Sequence, residues 1–351
     1  MAGTNAKYEI TTLDFDAIKQ NLKTFLKSQA QFTDYNFEGS GLSVLLDILS
    51  FNSYYNAFYL NMVANEMFLD SADLRQSVVS KAKMLDYLPR SKRASTAIVK
   101  VKITGGVNPE PYLTIPKFCK FSTRVDNKTY TFITNQVYVL EYNPVTNTYE
   151  AELELKEGFG LSFTWIIDET DPLQKFIIPN ANIDTTTLAV KVQDNISNTN
   201  VSTYRLYHNI SDLVNVDKVY FLQEVENFKY QVYFGDDVIA KKPADRSIVT
   251  AQYIACSADA PNGANSFILV DNIGSYQSIQ VTTLSPANGG SDRESINSIK
   301  FNAPKHFETQ NRCVSKQDHK NILLENYPNI DSINIWGGEE GDPVTNLPKY
   351  G

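Results

Sequence analysis

The chain has 351 residues, with 32 Lys and Arg against 40 Asp and Glu, for a net charge of −8. That balance argues against a nucleic-acid binder, because contact with a phosphate backbone needs a surplus of cations. With 42% hydrophobic and 21% charged residues the chain reads as folded, and at about 150 residues per domain it holds two or three domains.

Three scattered cysteines, Cys119, Cys256 and Cys313, offer neither a disulfide framework nor a CxxC zinc site. The first ten residues are too polar for a signal peptide, and no run of about 18 apolar residues offers a membrane span. The expectation is a soluble, non-exported chain in a reducing compartment.

The first ninety residues read as helix. Phe15, Ile18, Leu22, Phe25 and Leu26 recur at steps of three and four, with Asp14 as cap and a fade over residues 31–36. After Ser40 comes the densest apolar segment: Leu42, Leu45, Leu46, Leu49 and Phe51, then Tyr54, Tyr55, Phe58, Tyr59 and Met62. These residues cover nearly the whole circumference of a helix, which must then be surrounded by other chain. A third helix over residues 71–87 carries Leu74, Val78, Ala82 and Leu85 on one side and stops at Pro89. Either the three helices make a bundle with a generous core, or another polypeptide supplies the missing cover. Asn52 and Asn56, like Asn61 and Asn65, share one helix face, as a polar edge or as amides that fix register. The connector with Arg90, Lys92 and Arg93 reads as a solvated loop.

From Thr96 the period becomes two: Val99, Val101 and Ile103 alternate with Lys100 and Lys102. Further strands are expected over residues 131–134, 137–142, 149–155, 161–167, 175–178, 188–192, 218–222, 229–234 and 248–255, and a strand-like run over 115–121 holds Cys119. Residues 143–147 have the chemistry of a hairpin loop, and a boundary near 171–172 divides two β-rich units. After Gly289-Gly290 the pattern turns mixed. A short helix over residues 292–302 is broken by Pro304, Ser315 with Asp318 caps a second, and residues 330–336 alternate as a strand.

No catalytic, cofactor or metal constellation emerges. His208, His306 and His319 lack a ligand spacing, and neither GxSxG nor GxxxxGK[ST] is present. Gly235-Asp236-Asp237, after a strand, reads as a turn. Twenty Tyr and 19 Phe against two Trp suit permanent protein interfaces, though a sugar-binding groove would also use aromatics.

The segment Gly289-Gly290-Ser291-Asp292-Arg293-Glu294-Ser295, with Ala303-Pro304, Phe307 and Arg312 before the capped helix, resembles the baseplate J family of contractile-tailed phages. Val232-Tyr233-Phe234-Gly235-Asp236 resembles that family's Phe-Gly-Asp-Gly turn, with Asp237 where Gly is usual, which puts the turn's backbone in question. The helical head, residues 37–69, resembles more narrowly the T-even-type baseplate wedge subunits. The resemblance implies a non-enzymatic virion component, assembled in the host cytoplasm, in an inner ring around the tail hub that rearranges on contraction. It also implies partners: a second copy, a larger wedge protein through a helical bundle, a small sheath-initiating wedge protein and another small wedge subunit. No nucleic acid, membrane insertion, small-molecule substrate or cofactor is implied. The alternatives are a tail-associated glycan-binding or glycan-degrading protein and the same scaffold in a non-phage contractile injection system.

The expected fold is α+β and elongated. A helical head spans residues 1–90, β-rich domains span 95–172 and 173–285, and a mixed helix/strand segment spans 286–351. That last segment stops where family members enter a further strand, so a shortened form or a fragment lacking the region that joins neighbouring wedges is expected.

Overall fold

The computed structural model describes residues 13–29, 31, 39–106, 109–171, 173–198, 200–207, 213–274, 276, 278–310, 312–326, 330 and 332–336. The fold is α+β, as expected. Two compact units form, one drawn from residues 1–85 and Ile296–Pro304, the other from Asp86–Ser295 and residues 305–351.

The first unit is helical. Helix α1 (Phe15–Lys27) starts at Asp14, whose carboxylate accepts from the Ala17 amide at 3.0 Å. Helix α2 (Gly41–Glu66) starts at Ser40, whose hydroxyl accepts from Ser43 N at 3.1 Å. Both caps satisfy amides that the first turn leaves without partners. Helix α3 runs over Arg75–Met84, shorter than the 71–87 expected. The Glu66 carboxylate accepts from the amides of Asp73 and Leu74 and holds the preceding residues as a turn. Leu74 therefore sits exposed at the cap, while Val78 and Ala82 are fully buried.

The second unit is β-rich. Its strands are β1 (Thr96–Thr104), β2 (Tyr112–Ile115), β3 (Lys120–Val125), β4 (Lys128–Thr134), β5 (Tyr138–Asn143), β6 (Thr148–Glu157), β7 (Phe159–Ile166), β8 (Phe176–Ile178), β9 (Ile183–Gln193), β10 (Val201–Leu206), β11 (Val219–Glu224), β12 (Tyr230–Phe234), β13 (Ile248–Ala255), β14 (Ile268–Leu269) and β15 (Ile279–Asn288). One sheet has the order β14-β3-β4-β6-β1-β15, with β2 joined through β5 to β6. The other has the order β7-β13-β9-β10-β11-β12-β8, and its pairs are antiparallel except β10 with β11. Alternation puts Val99, Val101, Ile103, Leu153 and Leu155 into the first core, and Val190, Val192, Val232, Val249 and Tyr253 into the second.

The chain changes sheet at Gly158, ahead of the boundary expected near 171–172, and β14 and β15 return to the first sheet. Gly158 has φ +124, and a Cβ there would lie 2.3 Å from the Ala255 carbonyl oxygen, so only glycine fits this crossing.

Three expectations need correction. The run 115–121 is two strands, because residues 116–119 turn around Thr134, whose hydroxyl accepts from Cys119 N and donates to the Pro116 carbonyl. The helix expected over 292–302 is α4 (Ile296–Thr309), which continues through Pro304. The proline removes one intrahelical hydrogen bond, while the fully buried Ile299 and Ala303 anchor the helix around it. Ile330 and residues 332–336 form no strand among the described residues, and Asp331 lies outside them; alternation alone does not supply the partner a strand needs. The final helix, α5 (Lys316–Asn326), has the expected cap: Ser315 N donates to the Asp318 carboxylate and Asp318 N to the Ser315 hydroxyl.

Candidate interaction surface

Helix α2 is too apolar for the cover it receives. Only Ser43, Leu46, Ser50, Asn61 and Ala64 are buried along its 26 residues. Leu45 is 55% exposed, Leu49 51%, Phe51 53%, Tyr55 52%, Phe58 45%, Tyr59 58% and Met62 42%, with Val44, Ile48, Leu60 and Val63 also exposed. Leu42 and Tyr54 are half-buried, and Leu46 is the one member of the expected set that the head itself buries. Helix α1 lies along α2, with the Phe15 and Phe51 rings 4.8 Å apart and Lys19 paired to Asp47, yet none of its residues is buried. Soluble chains rarely leave an apolar surface of this extent uncovered. Of the asparagines, Asn52 and Asn56 are exposed, whereas Asn61 is buried and its carbonyl accepts from the Asn65 side chain at 2.7 Å.

The glycine-rich motif of the second unit has a structural use. Glu294 is 4% exposed; the Tyr87 hydroxyl lies 2.9 Å from both carboxylate oxygens, and Arg90 N donates at 3.1 Å. Residues 90–95 are thus no solvated loop. Arg93 and Ser291 exchange main-chain hydrogen bonds, Ala94 N donates to the buried Asp184, and Ser95 donates to the Asn262 side chain. The three cations serve this seam: Arg90 lies 3.8 Å from Glu294, Lys92 lies 3.9 Å from Asp292, and the half-buried Arg93 faces Asp184. Burial lowers the Arg93 pKa and the Asp184 charge partly restores it. Gly290 must be glycine, because a Cβ would meet Ser95 Oγ at 2.2 Å and the Ala258 carbonyl oxygen at 2.3 Å. Gly289 takes φ +81, and Arg293 stacks over Phe228 at 4.0 Å. Pro304 lies within α4, and Phe307 and Arg312 are exposed.

At the other motif, Asp236 accepts from the amides of Ile239 and Val238, which hold its carboxyl below the usual range. Asp237 adopts φ +66, so the conformation that glycine would favour is kept despite the side chain. A cavity of about 340 Å³ lies beside this turn, lined by Asp168, Glu169, Asp171, Phe176, Tyr233 and Gly235 among others. Its carboxylates are already engaged: Asp168 with Thr170, Asp171 with Leu173 N, and Glu169 with Lys242. The Thr170 hydroxyl and amide lower the Asp168 pKa, the reverse of what a general acid needs. Cys119 and Cys256 are buried thiols pushed up to about 11 and about 12 by desolvation, unsuited to nucleophilic work. Among the described residues no group of three or more His, Cys, Asp or Glu could hold a metal ion, and no helix is long and apolar enough to cross a membrane.

The pattern of residues showed the apolar helix but not the seam. Tyr87 and Glu294 are 207 positions apart, and no local period connects them.

Residues 14–87 match the family described as baseplate wedge protein gp6-like, helical domain. The chain is 28% identical to the baseplate wedge protein gp6 of Enterobacteria phage T4, over 94% of this chain and 54% of that protein. It therefore spans about half the length of the curated relative it matches. Among solved structures it resembles a chain of the anti-feeding prophage baseplate, with 13% identity, TM-score 0.32, and coverage of 92% of this chain and 66% of that one. It also resembles a chain of the type VI secretion TssK-TssF-TssG baseplate subcomplex, with 9% identity, TM-score 0.38, and coverage of 80% and 82%.

Proposed function

We propose that the chain is a structural subunit of the baseplate wedge of a contractile-tailed phage, located in the virion tail and acting as a scaffold, with no catalytic role. The observation that carries this reading is a coincidence of position. The residues that match the wedge helical domain are those whose long helix exposes an uncovered apolar and aromatic surface. In the assembled tail that surface packs against other baseplate chains. Fully burying a Leu or Phe is worth about 1.5–3 kcal/mol, so a set this large outweighs an association cost of about 4–15 kcal/mol.

The finer assignment follows the family resemblance. The head joins a helical bundle with a larger wedge protein, two copies of the chain meet within a wedge, and a small sheath-initiating wedge protein and another small wedge subunit pack nearby. The β-rich unit acts as a stiff strut in the inner ring around the hub and relays displacement on contraction. Its motif residues, Gly235, Asp236, Gly289, Gly290, Asp292 and Glu294, serve stiffness and not chemistry.

The test is reconstitution of the wedge from co-expressed subunits with the full chain carrying Leu49→Asp or Phe58→Asp. Both side chains are exposed, so the variants fold, and loss of co-purification is expected. Normal wedge assembly by both variants would refute the anchoring role.

A further inference from the structure

Among the described residues, strand β7 ends its sheet, pairing with β13 on one side only. Other edges in the two sheets are blunted in familiar ways. Strand β8 has three residues, β14 has two, β2 has four, and β15 carries Pro286 and a register irregular against β1. Strand β7 has eight residues, Phe-Gly-Leu-Ser-Phe-Thr-Trp-Ile, with no charge and no proline. Phe159 is 58% exposed, Leu161 37%, Phe163 38% and Ile166 55%. A long, uncharged, apolar edge is a template for another strand.

The hydrogen-bond phase says which residues would pair. Ile167 exchanges main-chain bonds with the neighbouring strand through Ser247 and Arg246, while the Ile166 carbonyl is met from the other side by the Gln174 amide. Alternation then turns the main-chain groups of Gly160, Ser162 and Thr164 toward the open edge. Side chains alternate as well. Phe159, Leu161, Phe163 and Trp165 share the face of the core residues Val249, Ala251 and Tyr253 opposite them on β13.

We propose that β7 pairs antiparallel with β7 of a second copy, about a two-fold axis through Ser162, to make one continuous sheet. This reading stands on the sheet edge and is independent of the anchoring role of the helical head. In this register Ser162 faces its own copy and Gly160 faces Thr164, giving about six main-chain hydrogen bonds. On the core face Leu161 meets Phe163 and Phe159 meets Trp165, so each copy extends the other's apolar surface. A centre at Leu161 would bring in the bend at Gly158, and a centre at Phe163 would need the Ile166 carbonyl that Gln174 already occupies. The segment from Phe159 to Ile167 holds no charge, so two chains of net charge −8 can meet there without a like-charge contact across the strands. A closed two-fold pair leaves neither edge open to further addition.

The experiment uses the full chain in a Cys313→Ser background, because Cys313 is the exposed thiol and Cys119 and Cys256 are buried. Under mild oxidation Ser162→Cys gives a reducible interchain disulfide, since directly opposed residues of an antiparallel pair lie within bridging distance. Thr164→Cys, whose own copy sits about 13 Å away in this register, does not. Adding Phe163→Lys to Ser162→Cys abolishes the cross-link, whereas adding Phe58→Asp leaves it unchanged, which separates this edge from the head. Equal cross-linking at positions 162 and 164, no cross-link at either, or a bond from position 162 to a different protein overturns the proposal.

Discussion

Glu294, 4% exposed, holds Tyr87 and Arg90 from a position two hundred residues downstream. Glu294→Ala removes the buried carboxylate that the Tyr87 hydroxyl, Arg90 N and the Arg90 guanidinium share, so chemical denaturation of the variant should show a loss of about 3–5 kcal/mol. Glu294→Gln keeps an acceptor and loses the charge, for a smaller loss of about 1–2 kcal/mol. A few positions away in the fold, Glu157 is buried and accepts from Ser257 N. Desolvation raises its pKa, and the Ser257 bonds and the Lys92 charge only partly offset this. A carboxyl whose folded pKa is raised contributes stability that is complete below its unfolded pKa and is lost as pH rises through the folded value. Denaturation midpoints measured upward from the usual carboxylate pKa should therefore fall in the wild type, and Glu157→Gln should flatten that fall. Glu66 has the opposite sign. Burial works against its charge, but hydrogen bonds from Ser77, Asp73 and Leu74 prevail and lower the pKa. Its stabilisation of the turn before α3 is present at neutral pH and lost as pH falls through the lowered value.

At the scale of elements, α2 divides its own residues into two experiments. Leu46 is 3% exposed and Phe58 45%. Leu46→Asp buries a charge within the head and should cost about 3 kcal/mol or more, visible as loss of helical circular dichroism on heating. Phe58→Asp should leave that melting curve nearly unchanged and act on assembly alone. The helices were readable because their signals are local: period, Asp14 as a cap, and Ser315 with Asp318. The hairpin over residues 143–147 was readable for the same reason, since the Asn143 side chain accepts from Val145 N. Strands β10, β14 and β15 were missed because strand identity rests on partners far away in sequence. Alternation alone misled at residues 330–336, and Pro304 misled as a stop because buried neighbours outweigh one lost hydrogen bond. Basic residues 90–93 looked solvated because their acidic partners come from residues 184 and 292–294.

At the scale of the whole molecule, two sheets share one seam. Residues 90–95, Glu157, Asp184, Asn262 and 289–294 meet there through main-chain and carboxylate bonds. Such a seam resists shear between sheets, as the proposed strut requires. If the exposed face of α2 is covered in the assembled tail, as proposed, hydroxyl-radical footprinting will show it, with Tyr55, Phe58, Tyr59 and Met62 as the reporting side chains. These residues should be oxidised readily in the isolated chain and protected several-fold in purified tails. Equal oxidation in both would refute the proposed cover.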